Sequence, residues 1–428
     1  MSMEGLRVFK FGGASVRSAE AVQNLLRVLR HEPHGPLVVV VSAMGKTTNA
    51  LERLLAAYMG GLRFDEELQA LRDYHYGIAQ ALFEGQPDHL AFVALQHLFE
   101  QIDALLAQPP AGPYDYCYDQ LVPFGELLST TIVGHYLNAH GVSNVWVDAR
   151  ACLRSDTSYR DAAIDFDTSK YLCQREFDLK RAKVFVTQGF IAGTAEGSST
   201  TLGREGSDYT AAILANLLDA SDVTIWKDVE GVLNADPKLF ANTQRLPYIS
   251  YPEAIELAYC GAQIIHPKTI KPLQNKRIPL YVRSFINPQA EGTVIEAEGR
   301  TANLPPVYVL KRNQVLISLI PRDFSFVIED SLSRIFALLY KHRVKVNLVQ
   351  SSAISFTVVV DDEPHRLPAA LAELREGFEV RHNSPMEMLT IRHYTPRAVA
   401  EQVEGRTVYL QQRTRTNARF VMDQRRTD

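Results

Sequence analysis

Apolar and polar positions alternate along the first 300 residues in a pattern that predicts strands and helices in turn. Residues 37–41 are apolar throughout, as expected for a strand of a parallel sheet that helices cover on both faces. In 65–108 apolar residues recur at helical spacing and helix breakers are scarce, which predicts an insertion of paired helices. The other predicted strands are 7–11, 145–147, 184–187, 223–227 and 280–283, and the other predicted helices include 19–29, 50–58 and 210–218. This alternation predicts an α/β sandwich.

The pattern changes near residue 300, where a polar, proline-bearing stretch predicts a linker and a domain boundary at about Thr301. In 315–381 the predicted order is strand, helix, strand, strand, helix, strand, which is typical of a ferredoxin-like α+β domain. From residue 389 the order begins again and ends before a second helix, so the second repeat is predicted to be truncated. We therefore expect one domain in 1–300, which contains the helical insertion, and another region in 305–428.

Composition narrows the possible functions. A chain of 428 residues with 46% apolar and 22% charged residues fits two or more packed domains rather than disorder. The net charge of -4 gives no basic field, so we expect neither nucleic acid nor a membrane as a partner. The four cysteines form no CxxC pair and no dense disulfide framework, and the longest apolar run is too short to span a bilayer. These features predict a cytoplasmic protein that acts on small molecules.

A glycine pair follows the first predicted strand, which carries Lys10 near its end. Gly12 and Gly13 would let backbone N–H groups approach an anion closely, and Lys10 would add a mobile positive charge, so the pattern predicts a phosphate site. The alternative is a tight turn with a solvated lysine.

A second turn follows the strand at 37–41. Residues 45–47 resemble the end of a Walker A loop, but that motif needs a glycine where Val40 stands, so we reject the P-loop interpretation. Hydroxyl and amide side chains nevertheless gather in this turn, where open α/β sheets bind ligands, and helix capping is the alternative role for them. They are Ser42, Thr47, Thr48 and Asn49.

The loop 200–208 is dense in opposed charges and precedes a predicted helix. Arg204 can clamp a carboxylate through two parallel hydrogen bonds, and Asp208 can orient an ammonium or a metal-bound phosphate, which together suggest a zwitterionic ligand. The alternative is a surface turn closed by an ion pair between these two residues. Glu126 begins another predicted helix, either as a ligand-binding carboxylate or as a capping residue.

Taken together, these segments closely resemble the aspartate kinases of the amino acid kinase family. The motifs that carry the resemblance are KFGGAS, SAMGKTTN, PFGELLST, TQGFIAG, TTLGREGSDYTAA, the strand that ends in Lys227-Asp228 with the DPK that follows it, and GAQIIHPKT. They occur in the family's order within residues 7–295. The tail resembles ACT domains, which sense amino acids. The resemblance implies a three-layer αβα sandwich with a mostly parallel central sheet as the catalytic domain, followed by an ACT-like regulatory region.

The resemblance also implies roles for individual residues. Lys10 would stabilise charge on the transferring phosphoryl group, and Asp208 would orient the reacting groups. Glu126 would receive the substrate ammonium, and Arg204 would grip its α-carboxylate. The implied amino-acid site contains Ser42, Ala43, Thr48, Glu126, Phe190, Arg204 and Ser207. The implied nucleotide site contains Lys10, Phe11, Gly12, Gly13, Lys227, Asp228, Lys238 and Gln263, and no residue is assigned as a metal ligand.

The reaction implied is transfer of the ATP γ-phosphate, with Mg²⁺, to the side-chain carboxylate of L-aspartate. That carboxylate is ionised at neutral pH, because its ordinary pKa is about 3.9, so no general base is needed. A homodimer and a lysine or threonine effector are further implications. Three positions depart from the family pattern: Lys227 replaces Thr, Leu233 replaces Tyr and Gln263 replaces Lys. The alternatives are a kinase for glutamate, acetylglutamate or carbamate, and an amino-acid sensor that has lost catalysis.

Overall fold

The structure is a computed structural model that describes residues 5–32, 35–262, 265–297, 304–323, 326–327 and 329–425. The chain divides into two units. The first comprises Met1–Val232, Arg245–Ala258 and Gln263–Arg300, and the second comprises Leu233–Gln244, Tyr259–Ala262 and Thr301–Asp428.

The first unit holds the strands and helices that the N-terminal pattern predicts. Its strands are β1 (Arg7–Phe11), β2 (Leu37–Val41), β3 (Val145–Val147), β4 (Val184–Gln188), β5 (Ile191–Gly193), β6 (Ser199–Thr201), β7 (Asp222–Lys227), β8 (Tyr248–Ser250), β9 (Leu280–Ser284) and β10 (Thr293–Glu296). Its helices are α1 (Ala19–His31), α2 (Thr47–Met59), α3 (Asp65–Leu82), α4 (Leu90–Leu106), α5 (Tyr114–Leu121), α6 (Phe124–Ala139), α7 (Ala149–Cys152), α8 (Phe166–Glu176), α9 (Gly206–Leu217), α10 (Tyr251–Cys260) and α11 (Pro267–Lys276).

The central sheet has eight strands in the order β3-β4-β2-β1-β7-β9-β10-β8. All neighbouring pairs are parallel except β9 with β10, which confirms the mostly parallel sheet. Every residue of β2 is buried, as the uniform apolar run predicts when helices cover both faces. Helix α9 packs on β1, β2 and β7, and α6 packs on β2, β3 and β4, so the unit is a three-layer αβα sandwich.

Aromatic rings fix the register at the centre of this sheet. Phe11 of β1 lies beside Trp226 of β7, and their rings stack with centroids 6.0 Å apart. Phe9 meets the same indole edge-on at 5.7 Å. All three rings are almost fully buried, so they tie β1 to β7 although 215 residues separate Phe11 from Trp226 in the sequence.

Two helices, α3 and α4, occupy the segment 65–108 in which the sequence predicts an insertion of paired helices. Three acidic residues open α3, where they complement the positive end of the helix dipole. Aromatic contacts join the two helices: the rings of Tyr76 and Phe99 stack at 5.8 Å, and His75 meets Phe99 at 6.2 Å.

The second unit contains one antiparallel sheet with helices. Its elements are β11 (Val307–Pro321), α12 (Glu329–Lys341), β12 (Val346–Ser351), β13 (Phe356–Asp361), α13 (Leu367–Gly377), β14 (Phe378–Arg392), α14 (Pro396–Val403), β15 (Val408–Arg413) and β16 (Asn417–Asp423). The strand order is β12-β13-β11-β14-β16-β15. The first six elements form the predicted ferredoxin-like unit, and the second half of β14 with α14, β15 and β16 forms the predicted truncated repeat.

Strand β11 is longer than the sequence pattern indicates, because it serves both repeats. Its second half pairs with β13 and with the first half of β14. Its first half, Val307 to Lys311, pairs with the later part of β14, and register shifts near Gln314 separate the two halves. The truncated repeat therefore gains its outer strand from a segment that precedes the first repeat.

None of the helices in the described part of the chain combines the length and the apolar character that crossing a bilayer requires.

A substitution of Phe420 tests whether the truncated repeat has a hydrophobic core of its own. Its ring is fully buried beside Leu389, Ile391 and Val399, so we expect Phe420→Ala to lower the free energy of unfolding by about 3–5 kcal/mol. Tyr340→Ala, at a residue that is 86% exposed, is the matched control and should change it by less than about 0.5 kcal/mol. Urea titrations of the full chain measure both values. Equal losses in the two variants would contradict this assignment of the core.

Candidate active site

A cavity of about 330 Å³ opens where the parallel strands β1, β2 and β7 end. The carboxyl ends of parallel strands meet at one edge of a sheet, which is where open α/β folds bind ligands. The lining residues include eight of the predicted site residues. The full lining consists of Lys10, Ser42, Thr48, Glu126, Phe190, Gly203, Glu205, Gly206, Ser207, Asp208 and Lys227.

Asp208 forms the electrostatic centre of the cavity. Its Oδ1 lies 2.6 Å from Lys10 Nζ, and its Oδ2 lies 3.8 Å from Lys227 Nζ. Burial by itself raises the pKa of Asp208, but the two lysines outweigh burial and hold the pKa below its usual value. The carboxylate is therefore ionised at neutral pH, and the three residues together carry one net positive charge.

The start of α9 places Ser207 and Asp208 against the turn that follows β4. A Cβ on Gly189 would lie 2.4 Å from the Cβ of Ser207, so only glycine permits this approach. Phe190, the next residue, has φ of 70° and donates its backbone N–H to Thr210 Oγ1 at 2.9 Å. These contacts bring Phe190 and Ser207 to the same wall of the cavity.

Glu126 is a second buried carboxyl group in the cavity, and its pKa is shifted in the opposite direction to that of Asp208. It lies in the first turn of α6, and its Oε1 accepts a hydrogen bond from the Ala43 N–H at 3.1 Å. Burial raises the pKa of Glu126 to about 8, although this hydrogen bond and the charge of Lys10 oppose the rise. Among the residues that the structure describes, Glu126 Oε2 has no hydrogen-bond partner, so the oxygen is available to a ligand.

Three helices begin at the cavity. Thr48 lies in the first turn of α2, Glu126 in that of α6, and Ser207 and Asp208 in that of α9. Helix N-termini present unpaired backbone N–H groups and a partial positive charge, so their convergence favours anionic ligands. The cavity can therefore hold phosphate and carboxylate groups without a Walker loop.

Several predicted site residues do not line the cavity. Ala43 contributes only its N–H to Glu126, and the ring of Phe11 belongs to the core beside Trp226. Gly12 and Gly13 lie in the turn directly after β1. Arg204 and Asp228 are exposed to solvent.

Two further predictions lie elsewhere. Lys238 is exposed and belongs to the second unit. Gln263 lies outside the described residues. The alternative of an ion pair between Arg204 and Asp208 is wrong, because Asp208 pairs with Lys10 and Lys227 instead.

Sequence reasoning missed one lining residue with its own chemistry, Glu205. It adopts a left-handed conformation with φ of 53° at the start of α9, and its Oε2 accepts the His266 N–H at 2.9 Å. The local sequence carries no signal for this conformation, because residues other than glycine and asparagine rarely adopt it. Glu205 thus closes the loop rather than capping α9 with its side chain.

The cavity does not provide a preformed metal cage. Within the described ranges no group of three or more His, Cys, Asp or Glu side chains is arranged to hold a metal ion. Asp208 is engaged by two lysines, and Glu126 holds its proton at neutral pH. Mg²⁺ commonly binds through one or two carboxylates together with substrate phosphates, so these residues fit an ion that arrives with a nucleotide and not a resident one.

Comparisons with known proteins agree with this geometry. The model of the amino acid kinase family matches residues 5–284. Lysine-sensitive aspartokinase 3 of Escherichia coli K12 is 33% identical over 84% of this chain and 79% of its own length. The chloroplastic aspartokinase 1 of Arabidopsis thaliana is 32% identical over 83% of this chain, which spans 63% of the length of that relative.

Solved structures show the same relationship. E. coli aspartokinase III in complex with lysine and aspartate superposes with a TM-score of 0.83 and 29% identity over 97% of this chain and 95% of that one. The same protein in complex with aspartate and ADP gives a TM-score of 0.80 and 28% identity over 98% of this chain and 96% of that one.

Glu126 should make stability depend on pH in a characteristic direction. Its pKa of about 8 in the folded state exceeds the ordinary value of 4.5, so between these values the folded state holds a proton that the unfolded state releases. The free energy of unfolding should therefore fall by about 2 kcal/mol between pH 6 and pH 8 from this group alone. Urea titrations of the wild type and of Glu126→Gln at both pH values isolate the contribution, and identical pH dependence in the two proteins would contradict it.

Proposed function

The chain belongs to the amino acid kinase family, and we infer that it is an ATP-dependent aspartate kinase. It transfers the γ-phosphate of ATP to the side-chain carboxylate of L-aspartate and so forms 4-phospho-L-aspartate and ADP, the first step towards lysine, threonine and methionine. The observation that carries this function is the cluster of Lys10, Asp208 and Lys227 beside the buried carboxyl group of Glu126. The names of the bacterial and plant relatives, and the aspartate and ADP bound to E. coli aspartokinase III, support it.

The chemistry requires charge neutralisation more than proton transfer. An oxygen of the substrate side-chain carboxylate attacks the γ-phosphorus, and the bond from that phosphorus to the β,γ-bridging oxygen breaks, so ADP leaves with the bonding electrons. Both reactants are anions, so the protein must bring them into line and offset their repulsion. Lys10 supplies a positive charge to the transferring group, and the N-termini of α2, α6 and α9 add oriented N–H dipoles. When bound with the nucleotide, Mg²⁺ supplies further neutralisation of the phosphate charge.

Glu126 is the proposed receptor of the substrate ammonium group. It is neutral at pH 7 in the empty cavity, and an ammonium beside its unpaired Oε2 would favour the ionised form. Arg204 is proposed to hold the α-carboxylate, and Ser42, Thr48, Phe190 and Ser207 shape the site around the rest of the substrate. Ala43 supports the site through its hydrogen bond to Glu126.

The nucleotide site is proposed at the β1 and β7 side of the cavity. Gly12 and Gly13 would present backbone N–H groups to phosphate, and Phe11 would hold this turn through its buried ring. Lys227 and Asp228 at the end of β7 would contact the nucleotide. Lys238 and Gln263 remain part of this proposal on the strength of the sequence motifs that contain them.

Two competing functions are distinguishable from this proposal. A kinase for glutamate, acetylglutamate or carbamate would share the Lys10 chemistry but prefer another acid. An amino-acid sensor would bind an effector through residues 305–428 without turnover, and the ionised Asp208 paired with Lys10 disfavours it.

We expect Lys10→Ala to reduce turnover by on the order of a hundred- to a thousandfold, because the lysine stabilises charge that develops in the transition state. A coupled assay of ADP release with L-aspartate and Mg-ATP measures this, with Lys170→Ala, at an exposed lysine of α8, as the matched control. Wild-type activity no higher than that of Lys10→Ala would overturn the proposed function. A preference for glutamate, acetylglutamate or carbamate would favour the other kinases.

The regulatory part of the proposal is a homodimer in the cytoplasm whose second unit binds an amino-acid effector, lysine or threonine. Lysine is favoured, because the bacterial relative is named lysine-sensitive and has been crystallised with lysine.

We expect lysine to raise the KM for aspartate by about fivefold or more, within the usual range of allosteric coupling, and threonine to have less effect. Inhibition curves and calorimetry on the full chain measure this. Lysine binding without any turnover would identify a sensor instead.

A further inference from the structure

Two backbone loops lie in direct contact beside the cavity. The first glycine loop, residues 12–17, follows β1, and the second glycine loop, residues 42–46, follows β2. The Gly45 N–H donates a hydrogen bond to the Gly13 carbonyl at 3.0 Å. A Cβ on Gly13 would lie 2.7 Å from the Ala43 carbonyl oxygen, so no side chain fits between the loops. The two loops therefore pack backbone against backbone, and a side chain that touches both can influence their relative position.

Tyr74 on α3 touches both loops. Its hydroxyl donates a hydrogen bond to the Arg17 carbonyl of the first glycine loop at 2.7 Å. The same oxygen approaches the second glycine loop so closely that a Cβ on Gly45 would lie 2.6 Å from it. Partial burial raises the pKa of Tyr74, so the hydroxyl keeps the proton that it donates.

Helix α3 holds Tyr74 in a fixed place. The neighbouring His75 is fully buried, meets the Tyr74 ring edge-on at 5.1 Å, and is bonded through Nδ1 to the Leu71 carbonyl at 2.8 Å. Its Nε2 lies 3.4 Å from the Thr47 hydroxyl, which donates to the Met44 carbonyl at 2.6 Å. Burial lowers the pKa of His75 to about 4, so the ring stays neutral and α3 is anchored by packing.

We propose that Tyr74 is a positioning residue for phosphoryl transfer, because it fixes the two glycine loops against each other. This inference rests on the proposed function, in which the first glycine loop binds the nucleotide phosphates and the second lies beside the amino-acid site. Lys10 precedes the first loop, Ser42 begins the second, and Thr48 follows it, so a shift of either loop moves groups that contact substrate. Small displacements of positioning groups have large effects on phosphoryl transfer, since the reaction depends on alignment.

The chain provides a matched control for Tyr74. Tyr76 lies on the same helix, and its ring stacks on Phe92 and Phe99 of α4, away from both loops. Tyr76→Phe removes the same hydroxyl from the same helix without removing a bond to a loop. Any general loss of stability from the substitution appears in both variants.

The test measures ADP affinity by calorimetry, and KM for ATP and kcat by the coupled assay, in Tyr74→Phe and Tyr76→Phe. We expect Tyr74→Phe to weaken ADP binding and raise the KM for ATP by about three- to tenfold, the usual effect of one hydrogen bond. Tyr76→Phe should leave both values near those of the wild type, with a similar Tm. Equal ADP affinities in the two variants would overturn the inference.

A double-mutant cycle with Gly45→Ala sharpens the test. The added Cβ meets the Tyr74 hydroxyl, so its effect on ADP affinity should be smaller when Tyr74 is already Phe. An equal loss of ADP affinity on both backgrounds would count against the contact.

Hydrogen exchange at the Gly45 amide measures the contact between the loops without any nucleotide. The exchange rate should rise in Tyr74→Phe but not in Tyr76→Phe. Unchanged exchange would overturn the inference, whereas a wild type that binds no ADP would contradict the proposed function alone.

Discussion

The cavity depends on one buried carboxylate, that of Asp208, which stays ionised between two lysines. An isolated carboxylate in such a place would lose several kcal/mol of hydration and would take up a proton. Lys10 and Lys227 prevent this, because they lie at or next to the ends of neighbouring parallel strands and reach the two oxygens from the same edge of the sheet. The contact of Phe11 with Trp226 holds β1 and β7 side by side. The packing of the core thereby keeps both lysines beside Asp208, and so keeps its carboxylate ionised.

Glu126, a second carboxyl group in the same cavity, is protonated at neutral pH, whereas Asp208 is ionised. It is buried as deeply as Asp208, but the charge of Lys10 only partly offsets its desolvation, and no lysine pairs with it. Two carboxyl groups in one cavity thus have pKa values on opposite sides of neutrality, a separation typical of groups with different roles. In the proposed function the ionised group holds the lysines that would face phosphate, and the neutral group keeps an oxygen free to receive a cation.

The sequence predicted much of this arrangement, because parallel strands bring residues at their carboxyl ends together. Lys10, Ser42 and Lys227 each end or follow such a strand, and all three line the cavity. That Lys10 and Lys227 share Asp208 could not be predicted, since it requires β1 and β7 to be neighbours and strand order is a long-range property. The extension of β11 to Val307 was missed for a similar reason: its partner in β14 lies about 80 residues away, and the local pattern resembled a linker.

Arg204 differs from the buried charged groups of the site, because its side chain is exposed to solvent. Gly203 and Glu205 flank it in left-handed conformations, and the bond from the His266 N–H to Glu205 fixes the loop while the Arg204 side chain stays in solvent. Exposed arginine keeps its hydration, so the guanidinium is desolvated only when a carboxylate arrives to pair with it. In the proposed reaction the α-carboxylate of aspartate supplies that partner, and the energy of the pair contributes to closing the site around the substrate. Under this proposal burial holds the groups that act on phosphate in place beforehand, whereas the group that selects an amino acid is brought in by binding it.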